Sequence, residues 1–426
     1  MFGTKSMLWP LVGLCIALMI PVSAGAAGAK KNDRCEGTKK QRKQKMELRS
    51  LTEHQLQQLD EEYKKTIAAD HERMAETVLC RLEREYKEHQ ESGKPFIYDI
   101  LVISGGGQKG AFGAGFLEGW GTIESGPAVR PKFDVVTGVS TGALIAPFAF
   151  ADTQEEYVEV SKFYANPEPN WVKKRGKLAL LPHHVSIFND CHLQDTVRKA
   201  VDPALVAAVA QGAEEDRLLL IGTTNLDAGR GRAFDLSKEA QAAPEAGPFE
   251  RFNSILLASS AIPTVFPPVE IDGMYYADGG ATSNLFLVVF SRSAGPLDKF
   301  VARHPEAPKP KLRIWVVVNE RLVLAPEVTQ PRWMAVAARA LGTLTMSNEL
   351  FALNLIKDVV EDYRETRGLD AEFRMVAIPA DAPYPETDAM FDKKYMLLLE
   401  ELGRNLGTDP SVWTTKVPSA YSFRLD

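Results

Sequence analysis

Ile100-Leu101-Val102-Ile103-Ser104-Gly105-Gly106-Gly107-Gln108-Lys109-Gly110 joins a short apolar run directly to a glycine-rich turn. Phe133–Thr137 does the same ahead of Gly138-Val139-Ser140-Thr141-Gly142. A small-residue stretch of helical character follows each turn. Short apolar runs that alternate with helical stretches are the pattern of a parallel sheet buried on both faces. Arg217–Asn225 and Leu312–Val318 are two further candidate strands, the second reading Leu-Arg-Ile-Trp-Val-Val-Val. The pattern predicts one α/β domain with a mostly parallel central sheet between helical layers. Gln211–Asp216 and Ala240–Gly247 read as loops, and Trp333–Leu344 and Glu349–Tyr363 as helices with apolar residues at helical spacing.

Outward from this core, the 426 residues suffice for one large or two ordinary domains. The 45% hydrophobic and 25% charged content is that of an ordinary globular chain. A net charge of -6 gives nucleic-acid binding no electrostatic support. The N-terminus reads as an export signal over residues 1–29. Lys5 supplies the positive start, Met7–Val22 the apolar run, and Ser23–Ala29 the small residues, with three small-residue triplets as cleavage sites. An uncleaved anchor is the alternative, and Leu14 before Cys15 is too large for a lipoprotein signal. Cys35, Cys80 and Cys191 remain after cleavage, and an oxidising compartment allows one disulfide, Cys35–Cys80 for instance.

Residues 30–95 form a separate segment. Lys30–Arg49 is a basic tether, for which a solvated state and contact with anionic lipid are the two readings. From Leu51 to Glu88, apolar residues recur at helical spacing from Leu56 through Tyr63, Met74 and Leu82 to Tyr86. Thr52 and Gln55 are spaced as a capping box. Mixed charges around the stripe favour a helix docked on the domain that follows over a lipid-contacting arm or a coiled-coil partner. Ser92-Gly93-Lys94-Pro95 then breaks the helix and opens the domain at residues 96–426.

Glycines at 138 and 142 permit a sharp strand-to-helix turn, which presents Ser140 at a strand end beside a helix N-terminus. Gly105, Gly106 and Gly107 let a carbonyl approach the backbone, so that N–H groups converge on one oxygen. Gly105-x-Gly107-x-x-Gly110 is also a formal dinucleotide fingerprint. That reading wants an acidic residue ending the second strand, whereas Asp134 begins it and Ser140 occupies the loop. A serine needs a base. Ser140, Asp278 and His304 satisfy a triad order formally, but His304 lies in a charged loop with proline. His183, His184 and His192 have no clear relation to a third group. Asp278 stands in Tyr275-Tyr276-Ala277-Asp278-Gly279-Gly280, which is either a presented carboxylate or an ordinary Asp-Gly turn.

These three blocks resemble the signatures of the patatin-like phospholipase family. Leu257–Pro263, Phe266-Pro267-Pro268 and Gly222–Asp227 extend the similarity, which runs from about Ile100 to Asn319, with a looser tail through Phe373–Tyr384. Ser104 and Lys109 stand where some relatives carry Asp and Arg. The resemblance implies a three-layer α/β/α fold preceded by a helical segment, and a Ser140/Asp278 dyad. It implies an oxyanion hole at Gly105–Gly107, supported by Lys109, Gly110, Gly138, Gly142, Gly279 and Gly280. It implies hydrolysis of phospholipid or related lipid esters at a membrane or micelle surface, with no cofactor and no metal. A transferase using the same acyl-enzyme and a weakly catalytic lipid binder are the alternatives.

Overall fold

The computed structural model describes residues 52–168, 171–174, 185–244, 247–288, 295–387 and 389–419. The export signal, the basic tether, Cys35, His183 and His184 lie outside the described residues.

Strands β1 (Ile97–Ile103), β2 (Val135–Val139), β5 (Leu218–Asn225), β9 (Lys311–Val318) and β10 (Ala371–Ala377) form a parallel core in the order β10-β9-β1-β2-β5. Each carries apolar residues on both faces. Leu101, Ile103, Val136, Trp315 and Val317 point into one apolar cluster, and Ile100, Val102, Val135, Ile314 and Val316 into the other. Helices α2 (Gly110–Trp120), α3 (Thr141–Ala151), α4 (Gln154–Ala165) and α11 (Lys393–Gly407) supply the first cluster. Helices α1 (Glu53–Ser92), α9 (Pro296–Arg303) and α10 (Trp333–Arg367) supply the second. The result is the expected three-layer α/β/α sandwich.

The sheet is parallel only in part. Strand β6 (Arg230–Asp235) pairs antiparallel with β5, as does β8 (Met274–Asp278), and β7 (Val269–Ile271) pairs antiparallel with β8. Strands β3 (Lys173–Lys174) and β4 (Phe188–Asn189) pair antiparallel in a separate two-stranded sheet. The register matters for function. Val135–Val139 uses Leu218–Gly222 of β5, and Asp278, Ala277 and Tyr276 use Thr223, Thr224 and Asn225. Residues 220–225 bond β6 along their other edge, so β8 runs into the edge that β2 vacates. The ends of β2 and β8 therefore meet head-on.

Helix α1 is a single 40-residue helix. The Thr52/Gln55 capping box is formed at its start, and Gly93 ends it at φ 70°. It docks on the domain through Tyr63, Met74, Leu79 and Leu82. Arg81 joins Asp134 at 2.6 Å and Arg84 joins Asp216 at 2.8 Å. Asp134, the residue a nucleotide fold would have displaced to the strand end, is thus a docking contact.

Several boundaries differ from expectation. Helix α6 (Pro203–Glu214) absorbs most of Gln211–Asp216, because Asp202 caps it and the alanines sustain it. Helix α7 (Leu236–Gln241) takes the start of the second expected loop, and α8 (Glu250–Ser259) follows. Trp333–Leu344 and Glu349–Tyr363 are one helix, since Thr345 and Ser347 between them are tolerated in mid-helix when packing holds the rest. Cys80 is a free thiol, so the Cys35–Cys80 pairing does not form. Cys191, which opens α5 (Cys191–Ala200), is disulfide-bonded.

Candidate active site

Ser140 turns the chain from β2 into α3 with φ 53° and ψ −121°. A non-glycine residue holds such a conformation only where its surroundings fix it. Here the Ser140 N–H donates to Ser259 Oγ at 2.9 Å, and that hydroxyl donates to the Gly222 carbonyl at 2.6 Å. Gly142 lets α3 start against β1, since a Cβ there would stand 2.4 Å from the Ile103 carbonyl. Gly138 packs as closely against Gly142.

At the end of β8, Asp278 faces the serine. Ser140 Oγ donates to Asp278 Oδ2 at 2.6 Å, and the Gly280 N–H donates to Oδ1 at 2.8 Å. The backbone is pinned on both sides: Asp278 N donates to Ala261 O, and Thr224 Oγ1 donates to Asp278 O, each at 2.9 Å. Gly279 packs against the Gly222 carbonyl, continuing the β8 contact with β5. Both side chains are buried. Burial pushes the Asp278 carboxyl up to about 6, against the opposing pull of Ser140 and the Gly280 N–H. A carboxylate so placed is a far stronger base than one in water.

The glycine loop lies directly beside the pair. A Cβ on Gly105 would stand 3.1 Å from Ser140 Cβ and 2.1 Å from Asn284 Oδ1. The Gly105 N–H, however, donates to the Asn284 carbonyl at 2.9 Å. This corrects the assignment of Gly105 as an oxyanion donor: its amide is already spent, and its contribution is the close approach. The N–H groups of Gly106, Gly107 and Thr141 find no acceptor among the described residues. Gly107 takes φ 58°, which aims its amide differently from its neighbours. Lys109 forms an ion pair with Glu320, and Gly110 abuts Thr141, whose hydroxyl meets Tyr164.

Three side chains that the sequence did not single out brace this loop. Asn319, at the end of β9, donates its backbone N–H to Ser104 Oγ and its Nδ2 to Ser104 O, both at 2.8 Å. Its Oδ1 accepts the Gly113 N–H at 2.9 Å. Asn284 closes the other side, and Glu349 of α10 accepts a hydrogen bond from Asn284 Nδ2. Asn284 lies just beyond the Asp278 turn, a proximity that hinted at it. Nothing local marked Glu349, which comes from a distant helix.

His304 ends α9 and meets helix α1, with its Nε2 2.5 Å from Glu83 Oε2 and its ring against Tyr86 and Phe300. Among the described residues no histidine contacts Ser140 or Asp278. Nor, among them, does any group of three His, Cys, Asp or Glu side chains converge as metal ligands would.

Residues 101–290 match the family model described as patatin-like phospholipase. The chain carries a domain of that family and is a hydrolase. No curated protein matches it. Among solved structures, VipD from Legionella pneumophila is similar at 11% identity and a TM-score of 0.33, over 75% of this chain and 68% of that one. The type III effector protein ExoU is similar at 13% identity and a TM-score of 0.29, over 74% of this chain. The match spans 53% of the ExoU chain. Neither likeness bears on the site.

Proposed function

We propose that the protein hydrolyses the carboxylic ester bonds of phospholipids through a Ser140 acyl-enzyme, with Asp278 as the sole general base. The observation that carries this reading is the 2.6 Å hydrogen bond from Ser140 Oγ to Asp278 Oδ2, at the strained junction where β2 and β8 meet. The Ser140 proton passes to Asp278 Oδ2 as Oγ attacks the ester carbonyl carbon. The N–H groups of Gly106, Gly107 and Thr141 receive the oxyanion; loss of one such donor typically costs about 3–4 kcal/mol in barrier height. Collapse breaks the bond to the lysophospholipid oxygen, which leaves with the proton from Asp278. Water then gives its proton to Asp278, attacks the acyl-enzyme, and releases the fatty acid as Ser140 is reprotonated.

A lipid surface as the place of action has support from α10. Trp333, Val336, Leu344, Phe351 and Leu355 are exposed along one side of it. The same helix touches the Asp278 turn, where Asn348 Nδ2 donates to Thr282 O at 3.0 Å. Among the described residues no helix is long and apolar enough to cross a membrane. Export through the 1–29 leader belongs to the same proposal, since it would bring the enzyme to membrane lipid.

Mass spectrometry of the products from phospholipid vesicles tests the reading. Wild type should release free fatty acid and lysophospholipid, and Ser140→Ala should release neither above background. Transfer of the acyl group to an added alcohol in place of release to water would establish the transferase instead.

A further inference from the structure

Glu349 is a fully buried carboxyl group with no cation bonded to it among the described residues. Its side chain shows no exposure, Oε2 accepts from Asn284 Nδ2, and Oε1 has no partner among the described residues. Lys109, the nearest cation facing it, is engaged with Glu320. Burying a bare carboxylate under such conditions is far costlier than keeping its proton. The groups that face it are Asn284 and Ser104 from the site, and Glu320 and Lys109 from the loop ends. Only Lys109 would favour the anion by its charge, and Glu320 opposes it. The carboxyl is accordingly raised to about 8, with burial the leading cause.

Its position gives this neutral acid a task. Asn284 is gripped from two directions by α10: its side chain by Glu349 and its backbone N–H by Asn348 Oδ1 at 3.2 Å. On its other side the Asn284 carbonyl holds the Gly105 N–H, and its Oδ1 lies against the Gly105 Cα. Asn284 thus bridges α10 and the glycine loop beside Ser140. We propose that Glu349, as the neutral acid, is a positioning residue that fixes the oxyanion loop through Asn284, and that its ionisation disables the loop at alkaline pH. An anion there would stand one residue behind the site where negative charge develops during acylation. It would also draw the Asn284 amide and the Ser104 hydroxyl more tightly to itself, shifting Asn284 against Gly105.

This inference rests on the proposed Ser140 chemistry, and the experiment keeps the two apart. The kcat and KM of the full chain on a soluble short-chain ester are measured from about pH 5 to about pH 10, with circular dichroism verifying the fold at each pH. Wild-type kcat should fall tenfold per unit above about pH 8. Glu349→Gln supplies the same shape without a titrating proton. It should keep neutral-pH kcat within about threefold and abolish the alkaline fall. Glu349→Leu removes the grip on Asn284 and should lower kcat at least about tenfold at every pH, with KM little changed. The labelling rate of Ser140 by a fluorophosphonate, followed over the same range, should repeat these profiles without a turnover step. An alkaline fall that persists unchanged in Glu349→Gln would overturn the proposal, as would a Glu349→Leu protein with wild-type kcat. Failure of Ser140 to label in any folded form would instead defeat the acyl-enzyme itself.

Discussion

Strand β2 separates two buried aspartates that the fold treats in opposite ways. Asp134 immediately precedes it, and Asp278 meets Ser140 just beyond its other end. Both carboxyls are raised by burial, Asp134 to about 7 and Asp278 to about 6. They differ in company. Asp134 accepts from Arg81 Nε and from the Asp99 N–H, each at 2.6 Å. Burial alone would lower the Arg81 guanidinium, but Asp134 and Glu85 more than offset it, so a cation stays in place. Asp278 has a hydroxyl and one amide, and no cation among the described residues. Arg81 ties the first carboxyl group to helix α1 as a docking contact. The second faces a serine hydroxyl instead, the company that the proposed proton transfer requires.

That contrast is open to direct attack. The largest effect is expected at Asp278, where Asp278→Asn should lower kcat by about 10^4-fold while the far-ultraviolet spectrum stays native. At the other end of β2, Arg81→Met should cost about 3–5 kcal/mol in urea-unfolding stability, because it strands Asp134. The turnover of the molecules that remain folded should not change. A parallel loss of specific activity in Arg81→Met would erase the distinction between the two sites.

The smallest effect concerns stability. Asp278 binds its proton more tightly in the folded chain than in the unfolded one. Its contribution is therefore undiminished below about pH 4 and is lost as pH rises to about 6. Asp278→Asn should recover about 1–3 kcal/mol at neutral pH, so a less active enzyme should melt at a higher temperature. An unchanged or lower melting temperature would mean that the aspartate is not held at a cost.

Much of this site was legible because its local requirements are severe. Only small residues fit where α3 starts against β1, and Gly138, Ser140 and Gly142 announce that turn in the sequence. Gly105, Gly106 and Gly279 meet the same crowding, and Gly107 answers to a φ of 58°. What escaped notice depends on distant pairing. No local pattern says that β8 runs antiparallel into the edge vacated by β2, yet this alone brings Asp278 to Ser140. Gly105 looked like a donor because glycine marks close approach, whereas the use of its amide is decided by Asn284, far along the chain. The role of Ser259 as a brace for the serine turn was likewise invisible within Leu257–Pro263. Helix ends drifted for a milder reason, since tertiary packing carries α6 and α10 through residues that read as breaks.

Asp278 is proposed here as the only base serving Ser140. Its most direct test is the rate at which a fluorophosphonate labels Ser140 in wild type, Asp278→Asn and His304→Ala at one pH. His304→Ala should label at the wild-type rate, and Asp278→Asn at least about 10^3-fold more slowly. Near-normal labelling of Asp278→Asn, with loss of labelling in His304→Ala, would contradict it.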